Sequence, residues 1–288
     1  VTKKQNRDAA IDGIRAIAAL AVVAYHAGVP VASAGHLGVQ VFFVLSGYLI
    51  TRNLRERMAT RSLDIATFMR GRARRLAPAL LAMLLICTLL AWVLLPGEGI
   101  NATIWAMLSV LYLSDLAGMF GATSNFYGHT WSLAVEVQFY LIWPFVVRAL
   151  PRTDRLEAVT AGLALVSVAL YALTGLNTAA GYCNPAPLIV GAGLTFVRLP
   201  RLASLQRALS WPPLVTIGLL SYGIYLWHFP LLHFLPAMAW PATFAVALAL
   251  STALAALSYL TIERWAGCAK TPLWPRKAAT AGQTEAAA

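Results

Sequence analysis

Charge is what this 288-residue sequence has least of. Asp, Glu, Lys and Arg together make up 11% of it, against about 25% in soluble domains. Acid is scarcer still, with 11 Asp and Glu against 22 Lys and Arg and a net charge of +11. Cysteine is nearly absent. Cys87, Cys183 and Cys268 have no metal or redox spacing, and their odd number gives no disulfide framework. There is no Gly-rich phosphate loop, zinc motif or nucleophile elbow, and no internal repeat. The run 14–27 ends without a small-residue cleavage site, so no cleavable signal peptide is expected. These absences exclude a disordered chain, a fibrous repeat and an ordinary soluble enzyme.

What is present is apolar: 59% of residues are hydrophobic. Spans of about 20 mostly apolar residues read as membrane helices, and they predict an all-α, polytopic membrane bundle of about 8–10 spans. The runs are 10–28, 37–51, 77–95, 103–119, 130–149, 157–174, 184–198, 213–235 and 241–262. The second and seventh are short. Gly38 and Gly47 flank one and Gly191 and Gly193 interrupt the other, which suits interior helices that pack closely. Residues 1–267 form one membrane domain; the Ala-rich polar stretch 268–288 reads as a disordered cytoplasmic tail.

The cations lie between the apolar runs, so they report topology rather than nucleic-acid binding. Lys3, Lys4 and Arg7 put the N-terminus in the cytoplasm. The loop 52–75 carries eight arginines two crossings later, again inside. Every later cluster also falls inside if 103–119 is re-entrant or lies at the surface, which gives eight crossings.

Ionisable groups inside spans cost about 2.5–3.5 kcal/mol each on insertion scales, so they mark function by default. Asp12, Arg15 and His26 lie in the first span. Arg15 and His26 are eleven residues apart, which puts them on one helix face about 16 Å apart, and Asp12 lies one turn from Arg15. Neutral His26 is a candidate general base. Arg72 and Arg75, three apart, suit a phosphorylated ligand. His129, Trp131, Ser132 and Glu136 open the fifth run, where Ser132 alternatively serves as a helix cap. Tyr225 and His228, with Ser221 and Tyr222, occupy two turns of the eighth, where an interfacial aromatic belt is the structural alternative.

Three blocks, DGIRAIAALAVVAYHAG, HTWSLAVEVQFYLIWP and LLSYGIYLWHFPLL, together with Arg72-x-x-Arg75, resemble the acyltransferase-3 family of integral membrane O-acyltransferases over residues 8 to about 265. The resemblance implies a helical membrane bundle in the inner (plasma) membrane, usually of ten spans. It implies transfer of an acyl group, often acetyl, from cytoplasmic acyl-coenzyme A to a hydroxyl. The Arg15–His26 spacing is the family's signature. Its histidine implies a catalytic role for His26, and its arginine pair implies coenzyme A binding by Arg72 and Arg75. Two features depart from the family: Val137 stands where a second Glu is usual, and the stretch from Gly191 to Leu219 is short.

The resulting expectation is direct transfer. His26 deprotonates the acceptor as it attacks the thioester, and Arg15 orients the donor or stabilises the oxyanion. Glu136 joins the catalytic group. Asp12, His129, Trp131, Ser132, Tyr225 and His228 join the acceptor side, and no metal is expected. The acceptor is a surface or lipid-linked carbohydrate, or else a small molecule such as a macrolide. A proton-coupled transporter and an inactive scaffold are the competing classes.

Overall fold

Local sequence sets the helix boundaries. The computed structural model describes residues 8–122, 124, 126–173, 186–196 and 203–267, so the expected tail 268–288 lies outside the described residues. Asp8 caps α1 (Ala9–His26) by accepting from the Ala10 N–H at 3.1 Å. Gly28 follows at φ +74° and turns the chain. A 3₁₀ segment (Pro30–His36) leads into α2 (Leu37–Ala59). Asp64 caps α3 (Ile65–Leu94), accepting from the Ala66 N–H at 3.0 Å. The Thr67 hydroxyl and these backbone donors hold the Asp64 carboxyl below its usual range.

The chain continues through α4 (Gly99–Val110), α5 (Ser114–Met119), a 3₁₀ turn (Gly128–Thr130), α6 (Trp131–Ala149) and α7 (Thr153–Leu173). Then come α8 (Ala186–Gly193), α9 (Ala203–Leu209), α10 (Pro212–Phe234) and α11 (Trp240–Ser258), which runs on into a π turn (Tyr259–Glu263).

Among the described residues there are helices and turns but no strand, and six helices are long and apolar enough to cross a membrane. The segment 103–119 breaks at 111–113 into α4 and α5. Twelve residues of α4 rise only about 18 Å, short of a hydrocarbon core of about 30 Å. Eight residues of α8, Ala186–Gly193, are among the described residues. Leu188 and Ala192 on α8 are fully buried, so it is an interior helix. One expectation is corrected. The arginine-rich stretch 52–75 is not a loop: α2 and α3 extend through it and leave only 60–64 between them. Arginine is a good helix former, so both helices continue past their apolar segments.

The lipid-facing surface is visible on α3. Leu81, Leu85, Leu89 and Val93, four apart, are 48–78% exposed, whereas Leu80, Met83, Leu84, Cys87 and Ala91 are buried. In the interior α1 packs on α10 and α2, α2 on α6 and α8, and α10 on α11 and α3. Trp143 donates to Thr51 at 2.8 Å and ties α6 to α2.

The α2–α8 crossing depends on two reciprocal glycines. A Cβ on Gly47 would overlap the Leu188 backbone, and one on Gly191 would overlap the Val44 backbone. Backbone cannot move aside as a side chain can, so substitution must push the helices apart. Gly191→Val is expected to cost at least the 1–3 kcal/mol typical of overpacking, read as a lowered Tm in detergent. Gly162→Ala, with nothing within 4 Å of the added carbon, should leave Tm unchanged or raise it. Equal Tm values for the two variants would contradict this crossing.

Candidate active site

Two clusters of polar side chains occupy the space between α1, α2, α6 and α10. The first is built from arginines. Arg15 of α1, Arg72 and Arg75 of α3 and Glu136 of α6 line one cavity of about 40 Å³, with Ser46, Tyr140 and Tyr222. Arg72 and Arg75 enter it together because three residues make nearly one turn. Tyr222 donates to the Leu76 carbonyl at 2.7 Å and locks α10 against this part of α3. Glu136 accepts from the hydroxyls of Ser46 and Tyr140, so its carboxylate is fixed by neutral donors.

The three guanidinium groups make no hydrogen bond or ion pair to a described residue. Arg15 lies 6.0 Å from the Phe42 ring centroid, and its buried Nε has no partner. Arg72 lies over Phe68 at 5.4 Å and Tyr140 at 5.7 Å. Three cations therefore face one carboxylate in a cavity whose Arg15, Arg72 and Glu136 are partly buried and whose Arg75 is exposed. That arrangement repels itself and suits an anion with several acceptor oxygens.

A second cavity of about 480 Å³ lies further along the same helix pair, between the end of α2 and the α6–α7 junction. Its cations are already engaged. Arg55 donates to the Thr195 carbonyl at 3.2 Å and stacks over Phe196 at 4.4 Å, and Arg52 lies 3.9 Å from Glu56.

The second cluster is built from histidines. His26 ends α1, His129 precedes α6 and His228 lies in α10. Their rings meet, His26 to His228 at 5.2 Å and His129 to His228 at 5.7 Å between centroids. His129 and His228 are buried, at 3% and 0% exposure, while His26 is partly exposed. His26 is thus the one of the three that a substrate can reach. Phe229 packs edge-on against His26 at 5.0 Å and tilts over His129 at 5.1 Å. Pro230 leaves the Leu226 carbonyl without its helical donor. That carbonyl lies beside the His129 ring, whose nitrogens make no hydrogen bond of ordinary geometry.

Between the clusters, Ser132 Oγ and Tyr225 Oη lie 2.7 Å apart, and Tyr225 donates to the His129 carbonyl at 2.9 Å. Ser132 is therefore inside α6 and bonded across to α10; the cap position belongs to Thr130. On α6 the order His129, Ser132, Glu136 runs from one cluster to the other, and on α10 the order His228, Tyr225, Tyr222 does the same.

The structure thus divides the residues expected to act together. His26, His129, Ser132, Tyr225 and His228 converge. Arg15, expected about 16 Å from His26, and Glu136, expected in the catalytic group with it, both line the arginine cavity. Asp12 is buried where α1 crosses Gly218 of α10, outside the cavity lining. Trp131 packs edge-on against Phe43 at 5.9 Å, which is core packing. Among the described residues no group of three or more His, Cys, Asp or Glu is arranged to hold a metal.

Sequence reasoning missed Tyr25, His36, Phe229 and His233. His36 meets Tyr25 at 5.5 Å, Tyr25 meets His26 at 5.1 Å, and His233 meets Phe229 at 5.2 Å. All five histidines of the chain therefore sit in one network of rings. The available signal was positional: each lies within a few residues of a span end on the same side of the bundle.

Comparison with known proteins adds an independent finding. The family model Acyl_transf_3, described as an acyltransferase domain, matches residues 8–177. YrhL of Bacillus subtilis (strain 168) is 31% identical over 306 residues, covering 77% of this chain and 48% of its own length. The peptidoglycan O-acetyltransferase OatA of Listeria monocytogenes is 30% identical over 303 residues, covering 77% and 49%. The O-acetyltransferase OatA of Staphylococcus aureus (strain NCTC 8325 / PS 47) is 27% identical over 305 residues, covering 78% and 50%. The chain spans about half the length of the curated relatives it matches. No solved structure matches it.

Proposed function

The chain belongs to the acyltransferase-3 family, and on that premise we propose that it is an O-acyltransferase of the inner membrane. It moves an acetyl group from cytoplasmic acetyl-CoA to a hydroxyl of a cell-envelope carbohydrate. The observation that carries this reading is the pairing of two sites in one bundle. Arginines with no hydrogen bond or ion pair among the described residues gather toward one end of α1, and a reachable histidine sits at the other. The names of the Bacillus subtilis and Listeria monocytogenes relatives, both of which mention peptidoglycan, support an envelope carbohydrate as acceptor.

The roles follow from chemistry. Arg15, Arg72 and Arg75 receive the donor's phosphates as charge-assisted, fork-shaped partners. Their cavity is narrow, about 40 Å³, so phosphates enter by displacing flexible guanidinium groups rather than by filling a ready void. The larger cavity bordered by Arg52 and Arg55 gives room for the nucleotide. The thioester arm then runs past Ser132 and Tyr225 toward His26. His26 takes the proton of the acceptor hydroxyl as its oxygen bonds to the thioester carbon. The C–S bond breaks, and the thiolate leaves with the proton that His26 returns. Arg15 is too far along α1 to stabilise the oxyanion, so its role is donor binding. Glu136, anchored by Ser46 and Tyr140, limits repulsion among the arginines.

The test uses purified full chain in detergent with acetyl-CoA and soluble peptidoglycan fragments, following free thiol release and acetyl transfer. The expected result is saturable turnover that requires both substrates. Neither binding nor turnover of acetyl-CoA would overturn the donor assignment. Proton flux in vesicles without thioester turnover would favour the transporter reading.

A further inference from the structure

The hydrogen bonds around His26 fix which of its nitrogens is the base, and they identify a residue that holds it so. His228 Nδ1 lies 2.7 Å from the Tyr225 carbonyl oxygen. A carbonyl only accepts, so Nδ1 carries the hydrogen and neutral His228 presents a lone pair at Nε2. That Nε2 lies 3.2 Å from His26 Nδ1, and His26 Nδ1 lies 3.1 Å from the Val22 carbonyl oxygen. The second carbonyl requires the hydrogen on His26 Nδ1 as well. The two requirements agree: His26 donates one shared hydrogen to the Val22 carbonyl and to His228 Nε2. The reverse arrangement, a doubly protonated His228 donating to His26, would leave the Val22 contact without a hydrogen and put a charge on a fully buried ring.

We infer that His228 is the positioning residue of a histidine pair, holding His26 in its Nδ1–H form so that Nε2 is the free base. This rests on the reading of His26 as the base of acyl transfer. When Nε2 takes the acceptor's proton, the charge on the new imidazolium is met at Nδ1–H by the His228 lone pair and the Val22 carbonyl. Elsewhere a carboxylate fills that position. Among the described residues, the groups around His26 offer none: His228, Phe229 and His233 come from α10, His129 precedes α6, and Tyr25 and His36 close the other side. A neutral acceptor at this place avoids burying a second charge. His228 is itself fixed through the Tyr225 carbonyl, and Tyr225 in turn bonds to Ser132 and the His129 carbonyl, so α6 and α10 together set the ring.

Two readouts test the pair. In full-length protein labelled with ¹⁵N-histidine in detergent, the His26 resonances, assigned by their loss in His26→Gln, should show the neutral Nδ1–H form. The Nε2–H fraction should rise in His228→Ala, where only the Val22 carbonyl still holds the Nδ1 hydrogen. This needs no turnover, so it decides the tautomer even where acetyl-CoA proves not to be the donor. Turnover is the second readout. His228→Asn can reproduce the bond to the Tyr225 carbonyl but leaves His26 Nδ1–H with the Val22 carbonyl alone, and should lower kcat about 10–100-fold, as loss of orienting partners typically does. His228→Gln places an amide oxygen near the former Nε2 and should recover part of that loss. KM for acetyl-CoA should not move in either, because the arginine cavity is at the other end of α1. An Nε2–H form of His26 in the wild type, or equal kcat for the Asn and Gln variants, would overturn the inference. Absence of turnover in the wild type itself would instead sink the donor assignment.

Discussion

Alanine at position 26 is expected to lower acyl transfer by about 10²–10⁴-fold, the usual contribution of a positioned general base, and to leave the protein folded. The fold should tolerate it because His26 is partly exposed and sits at the last turn of α1. Its loss removes ring contacts with Phe229 and Tyr25. It leaves one acceptor, His228 Nε2, which water can reach through the vacated space. Donor binding should be untouched, since no arginine of the cavity contacts His26. The decisive measurements are therefore kcat and the dissociation constant for acetyl-CoA, made side by side. A kcat within threefold of wild type would remove His26 from the mechanism. An equal loss of donor affinity would mean that the two clusters are not separate sites.

Much of this arrangement is legible in the residues. The apolar runs locate every long helix, because a stretch of about 20 apolar residues has few alternatives to spanning. The cation count marks 103–119 as the segment out of step with the others, and the chain breaks there at 111–113 into two short helices. Helical spacing predicts that Arg72 and Arg75 share a face, and both line one cavity. What could not be read is which helices meet. Arg15 and His26 lie on one face of α1, so spacing alone groups them. Only the tertiary arrangement, which brings Arg72 and Arg75 of α3 to the cavity of Arg15 and His228 of α10 to His26, assigns them to different clusters. The same holds for Glu136, whose partners Ser46 and Tyr140 include one residue ninety positions away. Gly47 and Gly191 read as small residues that permit close packing, but that each meets the backbone beside the other is a tertiary fact. The helical course of 52–75 was obscured because arginine density reports topology and helix propensity at once.

The arginine cavity supports a prediction that separates binding from structure. Replacing both Arg72 and Arg75 by alanine removes two sets of charge-assisted hydrogen bonds to the donor, each worth about 1.5–3 kcal/mol. At 1.4 kcal/mol per tenfold, the dissociation constant for acetyl-CoA should rise about 10²–10⁴-fold. Lysine at both positions keeps the charge but loses the planar fork, and should fall between. The sign of the stability change is the sharper part. Cations placed for structure would be paired, and their loss would lower Tm. Here Arg15 and Arg75 repel each other, and Arg75 has neither hydrogen bond nor ring contact among the described residues. Removing Arg75 alone relieves that repulsion and gives up an attraction to Glu263, with which it forms no ion pair among the described residues. Ligand-free Arg75→Ala should therefore have a Tm equal to or above wild type, while acetyl-CoA raises the wild-type Tm and fails to raise the variant's, since a ligand stabilises only the state it binds. Arg72→Ala should gain less, because Arg72 also packs over Phe68 and Tyr140. A marked drop in Tm for Arg75→Ala with unchanged donor affinity would make this arginine structural and leave the donor's phosphates to be bound elsewhere.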